Sequence, residues 1–479
     1  MNILLLNPPA PTAVIREGRC QSPQNMRKTS IPQMSLAYIA SVLEKNNYQI
    51  ELYDCIALEI DEEKLISIIK SEEPRLAIVN VTTPSFYNDI KIIEKMKSVI
   101  PDCIIAIFGT HATSLHKSIL SAYPCVDVVI RGEPERTAEE LAYKIKNGDG
   151  FSDVLGISFR ANGSVHENKE RPWVDDLDEL GYPARHLLPN NKYIHPVTNK
   201  PYTTVNTSRG CRQQCIFCVA HLYYGYKLRK RSVKSVLDEI QFDVIGKYGI
   251  NNIWMFADDF TGDKNFVVDI CKGIIQRNLK ITWWSNTRVD VLDREMFEWM
   301  KKSGCFMLSI GGESGNQDIL NRMKKRAQLS QIKNTIKMLR EVGILSLVYF
   351  LIGLPGESRS TIKDTVDFAK QINPDYVEFY PATPYPGTEF YEIAKKENMI
   401  TTDDWSLYEC GGIRFVVRVP GVSHEELECI LQDAYKEFYY RTPYLLLLLK
   451  RMTNPVEFLR LCRFGLTYFK RLLPGKIRD

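Results

Sequence analysis

Short apolar runs alternate with amphipathic stretches along most of the chain. Residues 2–6, 50–53, 76–81, 104–108 and 126–130 are near-continuous apolar runs of strand length. Around them, 36–46, 62–70, 88–99, 112–122 and 134–146 repeat apolar positions with the helical period. Strands apolar on both faces, alternating with helices, predict a parallel, doubly wound sheet. Residues 154–160 and 164–165 predict a small hairpin around Ala161-Asn162-Gly163, a turn signal. Acidic and prolyl residues from Asp175 to Pro183 follow, so 149–198 reads as a linker with little core of its own.

The alternation returns over 199–400. Strands are expected at 203–207, 252–256, 282–286, 306–310, 345–352 and 375–380. Helices are expected at 233–248, 263–276, 294–303, 330–342 and 360–372. Six strands are too few for the eight of a full barrel, so a partial (β/α)6 barrel is predicted. Beyond 400, residues 424–440 predict a helix, and 444–449, 456–464 and 466–473 carry apolar faces threaded with Arg and Lys. The fold class is α/β: a Rossmann-like sheet over 1–148, a linker over 149–198, a TIM-like partial barrel over 199–400 and a helical extension over 401–479.

Composition adds limits. With 479 residues, 44% hydrophobic and 25% charged, the chain is expected to be soluble, globular and built of more than one domain. No run reaches the roughly eighteen apolar residues of a spanning helix. The 12 cysteines are scattered and no signal-peptide pattern precedes them, which points to a reducing cytoplasm rather than a disulfide framework. The net charge of +4 hides an asymmetry: residues 441–479 hold nine Lys/Arg against Glu457 and Asp479, so the rest is mildly acidic. Basic character confined to one tail does not argue for nucleic-acid binding; on an amphipathic stretch it fits a membrane surface or a helical cap.

Candidate chemistry lies in the loops after the strands, where ligands of such sheets bind. In the first part these are Asn7-Pro8-Pro9, Val81-Thr82-Thr83-Pro84-Ser85, Gly109-Thr110-His111-Ala112-Thr113 and Arg131-Gly132-Glu133-Pro134. Their glycines and hydroxyls suit close backbone approach and hydrogen bonding; the dinucleotide fingerprint G-x-G-x-x-G is missing. In the second part the strands end in Asp258-Asp259, Asn286 and Arg288, Gly311-Gly312-Glu313 and the loop 353–357. Arg288 can pair with a ligand carboxylate or with Asp290 or Asp293. The densest chemistry is Cys211, Cys215 and Cys218, spaced C-x3-C-x2-C behind Gly210. Three thiolates so close can converge on one metal centre; a standard iron–sulfur site takes four, so a cluster held here keeps one iron open. A zinc site with His221 as fourth ligand is the alternative, although zinc ligands usually come in two separated pairs.

The cysteine spacing resembles the signature of the radical SAM enzymes. The loops of the first part resemble the cobalamin-binding domain that precedes many radical SAM cores. Together these features are similar to the cobalamin-binding radical SAM proteins, the group of the anaerobic magnesium-protoporphyrin ester cyclase and of hopanoid and phosphonate methylases. The resemblance implies a [4Fe–4S] cluster on Cys211, Cys215 and Cys218, with S-adenosylmethionine on the open iron. It implies contacts to that molecule from Phe217, from Gly311, Gly312 and Glu313, and from Asn286 and Arg288. It implies cobalamin near Thr82, Ser85, Gly109, Thr110, His111, Gly132 and Glu133. The D-x-H-x-x-G motif is absent, so the cobalamin is expected without a histidine lower ligand.

The implied reaction is hydrogen abstraction from an unactivated carbon of a small-molecule or lipid-like substrate, followed by methyl transfer. The implied partners are a reductant such as flavodoxin or ferredoxin and, through the basic tail, a membrane surface at the inner face. Three other functions compete. An anaerobic cyclase would use the same cofactors without net methyl transfer. A tRNA methylthiotransferase would need a second cluster, but Cys20, Cys55, Cys103 and Cys125 do not fall at the expected loops. A non-enzymatic iron–sulfur protein would cleave no S-adenosylmethionine.

Overall fold

The computed structural model describes residues 1–11, 14–17, 31–196, 198–290 and 293–451, with side chains to 446. Two sheets organise it. The first holds β1 (Asn2–Asn7), β2 (Gln49–Asp54), β3 (Leu76–Asn80), β4 (Ile104–Phe108), β5 (Val128–Ile130), β6 (Ile157–Ala161) and β7 (Ser164–Glu167) in the order β2-β1-β3-β4-β5-β6-β7. The pairings from β2 through β5 are parallel. Every residue of β3 is buried, because helices cover both of its faces; β2 alternates exposed and buried positions, as an edge strand does. The predicted hairpin forms over Asn162 and Gly163, both at positive φ. It extends the first sheet antiparallel to β5, so that sheet runs to Glu167.

The second sheet holds β8 (Thr203–Asn206), β11 (Asn252–Phe256), β12 (Thr282–Thr287), β13 (Cys305–Glu313), β14 (Leu345–Ile352) and β15 (Tyr376–Pro381). All its pairings are parallel, in the order β15-β14-β13-β12-β11-β8. It is the partial six-stranded barrel expected. A two-residue pair, β9 (Ser208–Arg209) with β10 (Arg229–Lys230), stands at the head of β8. Along β14, Val348, Phe350 and Ile352 pack on the outer helices with Ile332, Ile336 and Ile362. Strand alternation turns Leu347, Tyr349 and Leu351 into the barrel.

Two expectations change. The linker does contribute core: Leu180, Leu188 and Tyr193 are buried with Trp284 and Met307 of the barrel and with Ile3 and Leu36 beside the first sheet. His195 lies 4.2 Å from the Trp284 ring, and burial pushes its imidazole down to about 4. The helix expected over 233–248 is α-helical at Val233–Asp238 and Gly246–Tyr248 but π-helical over Glu239–Ile245.

Helix His424–Tyr439 seals the outer edge of the barrel. The Tyr435 hydroxyl accepts from Phe379 N at 3.1 Å and donates to Phe379 O at 2.9 Å, and Tyr439 treats Val377 alike. An edge strand so covered is closed to further pairing. Helix Thr442–Arg451 follows, with Leu445 and Leu446 exposed. The expected stretches 456–464 and 466–473 lie outside the described residues. Among the described residues no helix is long and apolar enough to cross a membrane.

Candidate functional site

The three cysteines stand on a loop, 210–228, whose ends meet at the β9–β10 pair. Gly210 makes that neck close: at φ +80, a Cβ there would sit 2.2 Å from Lys227 O. Gly210 N donates to Asp258 Oδ2 at 2.9 Å, and Cys218 N to Cys215 O at 3.1 Å. The middle of the loop is stitched to the barrel through Ile216, which donates to Met323 O and accepts from Phe390 N. Phe217 packs half-buried beside Ile216, Met323 and Phe390. All three cysteines are half-buried. His221 stacks on Tyr226, with ring centroids 5.1 Å apart. Among the described residues, no three His, Cys, Asp or Glu side chains already surround a common point. The fold supplies a closed loop bearing the thiols, and neither a zinc set with His221 nor a finished three-cysteine set stands preformed.

The strand ends beside this loop carry the polar groups. Glu313 sits at φ +57, and its Oε1 accepts from Lys325 Nζ at 2.6 Å, both side chains nearly out of solvent. A Cβ at Gly311 would lie 2.2 Å from Glu313 Oε1 and 2.6 Å from Lys325 Nζ, so a side chain there would have to displace this pair. Arg288 pairs with Asp290 at 3.0 and 3.1 Å and donates to Lys325 O at 2.7 Å. Its Nη1 lies 3.9 Å from Cys215 Sγ. One guanidinium thus joins the cysteine loop to the segment that holds Glu313, and its partner is Asp290 rather than Asp293, which pairs with Lys264. Asn286 stands opposite Ser309 in the strand register.

A partly open cavity lies between this barrel mouth and the carboxyl edge of the first sheet. Thr82, Gly109 and Thr110 line it from the first sheet, and Asn206, Trp254 and Asp258 from the barrel. Among the described residues, Thr204 Oγ1, Asn206 Oδ1 and Trp254 Nε1 are buried in this region without a hydrogen-bond partner. A buried polar atom left so is costly unless a ligand satisfies it. The backbone reaches the cavity closely at Gly109, whose φ is +130 and whose Cβ would lie 2.2 Å from Val81 O. Gly109→Ala is expected to destabilise the first sheet by about 1–3 kcal/mol, with weaker cobalamin uptake in equilibrium dialysis. Unchanged melting and uptake would show that the loop tolerates a side chain.

The other residues expected around cobalamin are engaged elsewhere. Ser85 Oγ donates to Asp89 Oδ2 at 2.5 Å and meets Thr82 Oγ1 at 2.8 Å, with Asp89 paired to the buried Arg16. His111 is buried, its Nδ1 on Thr83 Oγ1 at 3.1 Å and its ring 4.4 Å from Phe86 and 5.3 Å from Trp405. Burial pushes it down to about 3, and it stands outside the cavity wall. Gly132 packs under Trp173. Both oxygens of Glu133 are taken by Arg209, Arg229 and Val174 N, which removes it from the ligand-contacting set.

Sequence reading missed Lys325, Arg16 and Glu17. Glu17 lines the cavity, accepts from Ser35, and is pushed up to about 8 by burial. A charged pair, Arg16-Glu17, directly after the short apolar run Ala13-Val14-Ile15 is the available signal. Cys55, Cys103 and Cys125 are buried thiols, the latter two pushed up to about 12 and about 11 by burial. Cys20 lies outside the described residues.

Residues 205–369 match the Radical SAM superfamily and residues 26–142 the B12 binding domain. An uncharacterized methyltransferase of Pyrococcus horikoshii is 32% identical, over 92% of this chain and 93% of its own. Among solved structures, the cobalamin-dependent S-adenosylmethionine radical enzyme OxsB superposes with a TM-score of 0.76 at 18% identity, covering 98% of this chain and 70% of that one. TsrM from Kitasatospora setae, a radical S-adenosylmethionine methyltransferase with cobalamin and a [4Fe–4S] cluster bound, superposes with a TM-score of 0.68 at 16% identity, covering 92% and 88%. A 32% identity spanning nearly the whole of both chains, with both family matches in the order the two sheets display, establishes that the chain belongs to the cobalamin-dependent radical SAM methyltransferase family.

Proposed function

We propose that this chain methylates an unactivated carbon of a small-molecule or lipid-like substrate held in the cavity between its two sheets. When bound, the [4Fe–4S] cluster and S-adenosylmethionine supply a 5′-deoxyadenosyl radical for hydrogen abstraction, and cobalamin supplies the methyl group. One observation carries the reading: Val219 and Ala220, which follow Cys218 on the cysteine loop, line the same cavity as Gly109 of the first sheet, whose walls also hold unsatisfied buried polar atoms.

The residues take separate roles. Cys211, Cys215 and Cys218 hold the cluster. The bend at Gly311, Gly312 and Glu313 receives the ammonium of S-adenosylmethionine, and Arg288, with Lys325 beside it, faces the carboxylate; Asn286 and Phe217 flank the nucleoside. Thr82, Gly109 and Thr110 face the corrinoid. The D-x-H-x-x-G motif is absent from the sequence, so the cobalamin is taken to bind without a protein histidine as lower ligand. The first sheet is the corrinoid unit and the barrel the radical unit, joined by the 149–198 segment. The cluster takes its electron from an external carrier such as a flavodoxin or ferredoxin. The basic 441–479 tail, with Leu445 and Leu446 exposed at its start, contacts an anionic membrane surface.

Anaerobic reconstitution with iron, sulfide and hydroxocobalamin tests the reading. With dithionite and methyl-labelled S-adenosylmethionine, both 5′-deoxyadenosine and S-adenosylhomocysteine should form. Protein that forms neither leaves only an iron–sulfur carrier; 5′-deoxyadenosine without S-adenosylhomocysteine points to chemistry without methyl transfer.

A further inference from the structure

The two ends of the cysteine loop are gripped by one carboxylate of the other sheet. Arg209 precedes Gly210 and Cys211; Arg229 closes the loop, and the two stand opposite each other in the β9–β10 pair. Both point at Glu133, in the loop after β5. Arg209 Nη1 lies 3.2 Å from Glu133 Oε1, and Arg229 Nη2 lies 2.9 Å from the same oxygen. Arg229 Nη1 donates to Oε2 at 3.0 Å. Glu135, at the start of helix Glu135–Asn147, takes Arg209 Nη2 at 2.6 Å. Two cations thus meet two carboxylates, all four side chains no more than 4% exposed.

The linker completes the joint. Val174 N donates to Glu133 Oε2 at 2.9 Å, and Val174 O accepts from Arg229 at 2.6 Å. Trp173 lies under Gly132 and against Gly225, where a Cβ would fall 2.8 Å from its Nε1. The Arg229 guanidinium stands 5.8 Å from the Trp173 ring. Such a joint is stiff: a bidentate arginine fixes angle as well as distance, and removing one partner leaves a buried charge unmatched.

We propose that Glu133 is a positioning residue that ties the neck of the cysteine loop to the carboxyl edge of the first sheet, so that cobalamin and the iron–sulfur cluster load cooperatively. The inference rests on the proposed function for the identity of the two ligands. Gly132 and Glu133 belong to the sheet edge that borders the corrinoid side, so ordering that edge orders the cysteine neck. By reciprocity, cluster assembly must then tighten cobalamin by the same factor that cobalamin tightens the cluster.

Hydroxocobalamin dissociation constants are measured by equilibrium dialysis on full-length chain, with and without the reconstituted cluster. The wild type should bind it about tenfold tighter with the cluster, within the range usual for coupled sites. Glu133→Gln should keep cluster iron but lose the difference, and should broaden the electron paramagnetic resonance signal of the reduced cluster. Where Glu133→Gln does not fold, Glu133→Asp is read instead; its carboxylate, one carbon shorter, reaches both arginines less well and should cut the difference at least threefold. Equal affinity with and without the cluster in the wild type overturns the proposal, as does an undiminished difference in the folded variant. A wild type that binds no hydroxocobalamin at all overturns the proposed function, and this inference with it.

Discussion

Cys215→Ala is expected to abolish cluster assembly and 5′-deoxyadenosine formation while stoichiometric hydroxocobalamin binding survives. Cys215 sits at the turn of the loop, where Cys218 N closes on its carbonyl at 3.1 Å and Arg288 Nη1 stands 3.9 Å from its sulfur. Alanine removes one of three sulfurs, and no spare ligand stands ready: among the described residues His221 is stacked on Tyr226 and no other group of metal-binding side chains is gathered. Two remaining thiolates do not hold the cubane that the radical chemistry needs. Iron and sulfide per chain after reconstitution, and the visible charge-transfer band, measure the first loss; product chromatography measures the second. Hydroxocobalamin should still bind, weakened by no more than the coupling factor, because Gly109, Thr110 and Thr82 belong to the other sheet. Retained iron with full cleavage would remove Cys215 from the ligand set; loss of all corrinoid binding would show that the first sheet does not fold without the cluster.

The parts of the fold legible in sequence are those whose determinants are local. Strands β1, β3 and β4 announce themselves as apolar runs because helices bury both faces. The cysteine loop is legible because its chemistry lies within eight residues and its glycine precedes it. The hairpin turn at Asn162 and Gly163 is local too, but its attachment to β5 is not, so the first sheet seemed to end earlier than it does. Glu133 was misread for the same reason. A carboxylate in a loop at a sheet's carboxyl edge looks like a ligand contact until Arg209 and Arg229, 76 and 96 residues away, are seen to occupy it. Lys325 was invisible because its partner Glu313 is reached only through the fold around helix Gln317–Arg322. The apolar period of 233–248 likewise gave a regular helix. It carries no mark of the π-turn that turns Glu239 and Asp243 together onto Arg185.

That π-turn is where the second large effect is expected: Glu239→Ala should cost about 3–5 kcal/mol. Arg185, from the linker, is fully buried; its Nη2 donates to Glu239 Oε1 at 2.5 Å and to Thr204 O at 2.7 Å, and its Nη1 to Asp243 Oδ2 at 2.8 Å. Arg231 closes on the other Glu239 oxygen. Alanine would remove the carboxylate shared by two buried guanidinium groups, leaving Arg185 with Asp243 and Arg231 with Asp178, and open space where a π-helical segment already has weaker backbone geometry. Burial pushes the Glu239 carboxyl up, but Arg231 and Arg185 outweigh it and hold the group below its ordinary 4.5. With the folded value depressed, the stabilisation is full above 4.5 and fades as pH falls through the folded value. The wild type should therefore keep all of its advantage over the variant at pH 7, and progressively less of it at an acidic pH below 4.5. Urea midpoints of the two chains at both pH values measure this, with the transition followed by tryptophan fluorescence. Because Thr204 lines the cavity and accepts from Arg185 through its carbonyl, hydroxocobalamin uptake should fall along with the midpoint. A midpoint that does not move would mean that the linker can leave the barrel without unfolding it, and that the Arg185 joint is not what holds the two sheets around their common cavity.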